Sequence, residues 1–359
     1  MNNAATMSAV QLLGHGGYEK LRYQTGLPVP VPAVGEVLIK VLAAGINNTD
    51  INTRLGWYSS TVATATSEIA ETAKNVANGD WTGQGLHFPR IQGADVCGIV
   101  MAAGPQTPDR LVGKRVIIQS CLLSLAKGSF TPFLGSERDG GFAQYVTAPI
   151  GDVYAVNTSL SDSQLAAVPC AYGTAENLLQ RAGVKSTDSV LITGASGNVG
   201  IALLQLAKRR GAKVTAVAAR SKHAAMREIG ADQCVETGQP VLSSISKESI
   251  DVVIDVVGGP QWPDLLDVLR PRGRYAVSGA IAGPIVELDL RKLYLKDLTF
   301  VGCTAQAPEV FPAIISYLER GEIVPLVSKT YPLQDIAQAQ EEFLSKRQIG
   351  KIVLIPPQP

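Results

Sequence analysis

The chain has 359 residues, 46% of them hydrophobic, and a formal charge of +1 from 32 basic and 31 acidic side chains. That length exceeds one ordinary core and predicts two domains of a globular protein. The near-neutral balance offers no field for nucleic acid or an anionic membrane, so neither is expected as a partner. The start, Met1-Asn2-Asn3-Ala4-Ala5-Thr6, lacks the basic segment and apolar run of a secretory signal. The apolar stretch 190–207 is broken by Gly, Ser and Asn and does not read as a membrane span. Five scattered cysteines show neither a disulfide framework nor CxxC pairs, which fits a reducing cytoplasm.

In chain order, the first third reads as short strands. Val37-Leu38-Ile39-Lys40-Val41-Leu42, Val96-Cys97-Gly98-Ile99-Val100, Arg115-Val116-Ile117-Ile118 and Ala143-Gln144-Tyr145-Val146 have no regular helices between them, which predicts an antiparallel or barrel-like domain. Residues 59–87 interrupt the pattern. Within them Ile69, Ala73 and Val76 recur at helical spacing, predicting a short amphipathic helix over 67–76. This excursion reads either as a surface insertion or as a lid over a substrate cleft.

From residue 161 the pattern changes to alternation. Helix 163–181 leads to strand 189–193, a glycine turn and helix 198–210. Strand 213–218, helix 223–229 and strands 252–257 and 274–277 follow. Strands alternating with helices predict an α/β, doubly wound parallel sheet of the Rossmann kind. Near Asp289 the alternation ends, and the tail reads as returning to the first domain. The expected division is therefore 1–160 for the substrate domain, 161–290 for the nucleotide domain and 291–359 for the return.

The turn Gly194-Ala195-Ser196-Gly197-Asn198-Val199-Gly200 lies between a buried-strand pattern, Val190-Leu191-Ile192-Thr193, and a strong helix former. In register with the dinucleotide fingerprint, Ala195 takes the first glycine position. Gly197 lets the backbone approach a pyrophosphate, and Gly200 lets the helix pack on the sheet. The helix N-terminus offers N–H groups and partial positive charge to phosphates.

An NAD-specific site places an acid about 20 residues further on, bonded to the ribose 2′-hydroxyl. Here the second strand runs into Ala219-Arg220-Ser221-Lys222, with no acid. A 2′-phosphate favours a guanidinium fork, so NADP(H) is expected, with Arg220 leading and Ser221 and Lys222 beside it. Arg220 and Lys222 could instead be solvated residues at a helix start.

Several motifs in order carry a resemblance over nearly the whole length. They are Gly45-Ile46-Asn47-Asn48-Thr49-Asp50, Gly93-Ala94-Asp95-Val96-Cys97-Gly98, Gly141-Phe142-Ala143-Gln144-Tyr145, the glycine turn, and Gly350-Lys351-Ile352-Val353-Leu354. The chain resembles the medium-chain dehydrogenase/reductase superfamily, in its zinc-free quinone oxidoreductase-like and enoyl reductase-like branches. The resemblance implies a GroES-like substrate domain beside the Rossmann domain, and commonly a homodimer. Zinc alcohol dehydrogenases of that superfamily place a Cys where this chain has Asn47 and a His-Glu pair where it has Ala94-Asp95. Cys170 alone matches a ligand position, whereas a catalytic zinc normally needs three protein ligands. The histidines, His15, His87 and His223, lie outside those motifs. No metal is expected.

Without a Lewis acid, hydride delivery to an activated acceptor is the chemistry left open, since the developing oxyanion needs only donors and a proton. Residues 47–58 are similar to the Asn…Asp-Ile-Asn…Gly-x-Tyr segment of zinc-free enoyl thioester reductases. That match implies Tyr58 as acid or oxyanion donor and Asn47 as an orienting amide near the nicotinamide, with Asp50 organising the loop. Tyr58 could also be a half-buried loop tyrosine and Asn47 a turn residue. The resemblance further implies that Thr174, Gly258, Gly279 and Cys303 line the nicotinamide end, although Cys303 reads equally as core packing. Lys351 belongs to the fold. The leading expectation is a zinc-independent, NADPH-dependent reductase of quinones or α,β-unsaturated carbonyls. An atypical alcohol or aldehyde dehydrogenase and a non-catalytic NADPH-binding redox sensor remain open.

Overall fold

The computed structural model describes residues 5–69, 86–128 and 130–358. The chain divides into two compact units. One comprises Met1–Val62, Ile69–Gly173 and Phe311–Pro359, the other Ala63–Glu68 and Thr174–Val310.

In the first unit, β1 (Thr6–Leu12), β2 (Leu21–Pro28) and β4 (Arg90–Ile91) form a small antiparallel sheet in the order β2-β1-β4, beside a larger one. The larger sheet contains β3 (Glu36–Gly45), β5 (Asp95–Ala103), β6 (Arg115–Ile118), β7 (Tyr145–Pro149) and β8 (Val153–Ala155). Strand β3 alternates half-buried and buried positions, with Val37, Ile39 and Val41 inside, as a strand with one face on a core must. The strand read at 143–146 begins at Tyr145. Two strands from the C-terminal end, β15 (Val327–Pro332) and β16 (Lys351–Ile355), complete the sheet, the latter pairing antiparallel with β3. The tail thus returns to the first domain. This is the GroES-like part of the fold.

The second unit holds β9 (Ser189–Ile192), β10 (Lys213–Ala218), β11 (Gln233–Glu236), β12 (Ile250–Asp255), β13 (Leu269–Val277) and β14 (Thr299–Gly302). All pair in parallel, in the order β11-β10-β9-β12-β13-β14. That is the 3-2-1-4-5-6 order of a Rossmann sheet, with its switch point between β9 and β12. Strands β9, β10 and β12 are buried almost continuously, as parallel strands covered on both faces are.

The structure departs from the sequence pattern in several places, and the helix Asn48–Leu55 between β3 and β5, where no helix was expected, is one of them. The expected helix 163–181 is two helices, Asp162–Leu165 and Pro169–Arg181. Pro169 lacks an N–H to continue a helix but suits the first position of a new one. The nucleotide unit extends past residue 290 to Val310, because β14 pairs with β13 and supplies the sixth strand. The sequence signal failed there because the helix before β14, Leu290–Tyr294, is only one turn long. Residues 63–68, read as part of an insertion in the first domain, group with the nucleotide unit, where the Thr66 N–H donates to Ile281 O at 3.0 Å. Of the amphipathic helix expected over 67–76, the described part runs Thr66–Ile69; positions 70–85 lie outside the described residues.

Candidate active site

Strand β3 ends at Gly45, and the next turn starts a helix, Asn48–Leu55, with Asn47 as its N-cap. Asp50 fixes this start. Its Oδ2 accepts from the Asn47 N–H at 2.8 Å, and its Oδ1 accepts from the Gly93 N–H at 3.3 Å. Asp50 therefore clamps the helix start to the Gly93-Ala94-Asp95 loop, the organising role read from sequence. Burial pushes its carboxyl up to about 7; Asp95 adds to the rise, against the Asn47 and Gly93 amides and Lys351.

Asp95 is the centre of a second set of contacts. Its Oδ2 lies 2.5 Å from Lys351 Nζ and accepts from Asn47 Nδ2 at 3.0 Å, while its Oδ1 accepts from the Cys170 N–H at 2.6 Å. Lys351 also donates to Asn47 Oδ1 at 2.5 Å. The geometry leaves no space for a side chain at Gly45, where a Cβ would stand 2.5 Å from Lys351 Cε and from Ala166 O. Both ends of the Asn47 amide are thus committed to buried charges. Asn47, expected as an orienting amide, is a member of this ion-pair network.

The residues present do not fit a catalytic zinc. At the positions where zinc dehydrogenases carry ligands, Asn47 is bonded to Lys351 and Asp95, Ala94 has no donor, and Asp95 is paired with an ammonium. Only Cys170 offers a thiol. Among the described residues no group of three or more His, Cys, Asp or Glu is placed to hold a metal.

Tyr58 reaches this region by a chain reversal. Gly56 closes the helix at φ +71, a left-handed cap that suits glycine, and Trp57 N–H then bonds Asn52 O at 2.8 Å. The Tyr58 phenol is hydrogen-bonded with the side chains of Thr49 and Asn52, one turn apart on the preceding helix. Burial outweighs those bonds and pushes the phenol up to about 12, so it keeps its proton at neutral pH. A protonated phenol next to Cys170 and Asp50 can donate to an oxyanion.

On the nucleotide unit, Gly194 turns the chain at φ +58, and Gly197 caps a helix over Asn198–Arg209. A Cβ at Gly200 would stand 2.3 Å from Gly194 O, so helix and strand meet there only through glycine. At Gly197 a Cβ would meet Gly194 O alone, at 3.3 Å, and the residue is exposed. Ala195 is buried beneath the turn, and its N–H donates to Val217 O on β10. The first N–H groups of a 12-residue helix, beginning at Asn198, Val199 and Gly200, with an open backbone at Gly197, fit a dinucleotide pyrophosphate.

The basic cluster after β10 is arranged differently from its expected ranking. Arg220 is 83% exposed and leans 3.8 Å from Glu236, a residue of β11 in register with Ala218. Ser221 is exposed. Lys222 is buried, with Nζ 3.5 Å from Ser196 Oγ on the turn itself, and burial lowers its pKa. Sequence spacing missed Glu236 because it comes from the neighbouring strand.

Gly258, Gly279 and Cys303 follow β12, β13 and β14, and so gather at the C-terminal edge of the parallel sheet, where such sheets bind ligands. Cys303 is buried with its N–H on Val277 O, and burial pushes its thiol up. Thr174 lies in the helix Pro169–Arg181, and the division between the units falls just before it. The sequence reading also missed Asp255, the last residue of β12, which is fully buried.

Two family models match the chain: an alcohol dehydrogenase GroES-like domain over residues 33–158, and a zinc-binding dehydrogenase domain over 198–320. The second match lies outside Asn47, Ala94, Asp95 and Cys170. The chain is 30% identical to an acryloyl-coenzyme A reductase of Metallosphaera sedula, over 97% of this chain and 99% of that one. It is 29% identical to a quinone oxidoreductase of Sus scrofa, over 97% and 98%. Among solved structures it is similar to a Sinorhizobium meliloti protein provisionally described as an alcohol dehydrogenase. Identity there is 43% and the TM-score 0.89, with 98% of this chain and 97% of that one covered.

Proposed function

Because the chain belongs to the medium-chain dehydrogenase/reductase superfamily, as an oxidoreductase, we propose that it is a zinc-independent, NADPH-dependent reductase of quinones or α,β-unsaturated carbonyls. The observation that carries this reading is the buried Lys351–Asp95–Asn47 network at the positions that hold a catalytic metal in zinc-dependent relatives. A site whose polar groups are already paired with an ammonium has no ligand set left to polarise an alcohol. The similarities to an acryloyl-coenzyme A reductase and a quinone oxidoreductase support an activated acceptor.

The glycine turn and Lys222 would hold the pyrophosphate and the 2′-phosphate, and the chemistry supplied on binding is hydride donation. Tyr58 would be the donor to the substrate oxygen on which charge develops. A phenol that keeps its proton at neutral pH can donate a hydrogen bond, and then the proton, to an enolate-like oxyanion. For a quinone the proton can come from water, so Tyr58 matters less there.

We also infer a homodimer. Strand β14 is the outer strand of its sheet, and the neighbouring segment exposes Ile285, Val286, Leu290, Tyr294 and Leu295. A strand edge unpaired among the described residues, beside an apolar row, suits a second copy of the chain.

The deciding experiment follows NADPH oxidation with a benzoquinone and with a simple enone after exhaustive chelation. Turnover that survives chelation supports the proposal. Alcohol-dependent reduction of NADP⁺, abolished by chelation, would overturn it in favour of an atypical alcohol dehydrogenase. Tight NADPH binding without turnover on either acceptor would favour a redox sensor.

A further inference from the structure

Asp255 is fully buried at the end of β12, a strand otherwise composed of Ile and Val apart from Asp251. Burying a carboxylate among apolar strands is costly unless every lone pair finds a donor. Here each does. Oδ1 accepts from Thr193 Oγ1 at 2.5 Å and from the N–H groups of Val257 at 2.9 Å and Gly258 at 3.1 Å. Oδ2 accepts from the Tyr275 hydroxyl at 2.5 Å.

These four donors fall into two kinds. Thr193 and Tyr275 stand on the adjacent strands β9 and β13 or directly after them, and they fix the carboxylate in space. Val257 and Gly258 belong to the loop leaving β12, and the carboxylate fixes them. The loop begins with the Val256 N–H donating to Thr193 Oγ1 at 3.1 Å, and its Gly258 and Gly259 both have positive φ, +64 and +73. Its far side is closed, since a Cβ on Gly258 would lie 2.9 Å from Gly283 O, and Ala282 N–H bonds Val257 O at 2.9 Å.

The place of this loop gives the carboxylate its meaning. In a 3-2-1-4-5-6 sheet the dinucleotide spans the switch point, with its adenosine half over the first three strands. Strands β9, β10 and β11 are those three, and β12 opens the other half. We infer that Asp255 is the positioning residue for the nicotinamide half of the cofactor site, holding loop 256–259 in its receiving shape. This inference rests on the dinucleotide assignment above.

The test is a titration of the full chain by tryptophan fluorescence with two ligands, NADPH and 2′-phospho-ADP-ribose, which lacks only the nicotinamide. In Asp255→Asn the loop amides face a neutral acceptor, and the expected result is roughly tenfold weaker NADPH binding, the scale of one charge-assisted bond. Binding of 2′-phospho-ADP-ribose should stay within about twofold, since the adenosine side keeps its own contacts. Tyr275→Phe, which removes one anchor and no loop bond, should show the same selective loss at about threefold, and decides the matter if the first variant fails to fold. Equal weakening of both ligands would make Asp255 a support of the whole unit and overturn the inference. Unchanged binding of both would overturn it as well. Wild-type protein that bound neither ligand would overturn the cofactor assignment, and this inference with it.

Discussion

Lys351 Nζ lies 2.5 Å from Asp95 Oδ2, and the two side chains are 1% and 0% exposed. They are 256 positions apart in sequence (351 − 95), and β16, the strand Lys351–Ile355, brings them together by pairing with β3. Removing one partner of a buried pair leaves an uncompensated charge, which costs about 3–5 kcal/mol. Lys351→Met is therefore expected to lower unfolding stability by that amount in urea. Adding Asp95→Asn should restore most of it, because the stranded charge is gone. A double variant as unstable as the single one would show that packing, and not charge, is what Lys351 supplies.

Asp50 makes stability depend on pH in an unusual direction. Its folded pKa, about 7, lies above the unfolded carboxylate value of about 3.9. Between these values the folded state binds a proton that the unfolded state does not, so stability falls as pH rises. The contribution is fully present below pH about 4, is lost by pH about 7, and is on the order of a few kcal/mol. Asp50→Asn should flatten this part of the profile in denaturant titrations at pH 4, 5, 6 and 7. Parallel wild-type and variant profiles would refute the assignment.

Tyr58→Phe should lower kcat on an enone by roughly 10²-fold, the usual contribution of a positioned acid, and leave quinone turnover within a fewfold. Because Thr49 and Asn52 retain each other's neighbourhood, the fold should be preserved, and circular dichroism checks that. An unchanged kcat on the enone removes Tyr58 from the chemistry.

For the cofactor, Lys222→Ala should cut the preference for NADPH over NADH about tenfold, the size of one charge-assisted contact to phosphate. Arg220→Ala should have a smaller effect, since Arg220 stands exposed beside Glu236. The ratio of kcat/KM for the two cofactors is the measurement. If neither substitution moves that ratio, the 2′-phosphate assignment fails.

Leu290→Glu combined with Leu295→Glu places charge in the apolar row beside β14. Light scattering should report a shift from dimer to monomer, with the circular dichroism spectrum retained. A dimer that persists unchanged would place the interface elsewhere.

Local pattern was enough for much of this protein. The near-continuous apolar runs of β9, β10 and β12, the glycines at 194, 197 and 200, and the missing acid after β10 are short-range signals. Each reflects a constraint the backbone meets within a few residues: burial on two faces, a left-handed turn, a close helix–strand approach. What the sequence left undetermined were contacts between distant segments. Lys351 reads as a residue of the closing strand, and only the pairing of that strand with β3 turns it into the counter-ion of Asp95. Glu236 is invisible to spacing rules because it meets Arg220 across two parallel strands. The glycine turn, proposed to hold the phosphates, is legible in a seven-residue window; the buried contacts around Asn47 and Asp255 are set by strand order and not by neighbours in sequence.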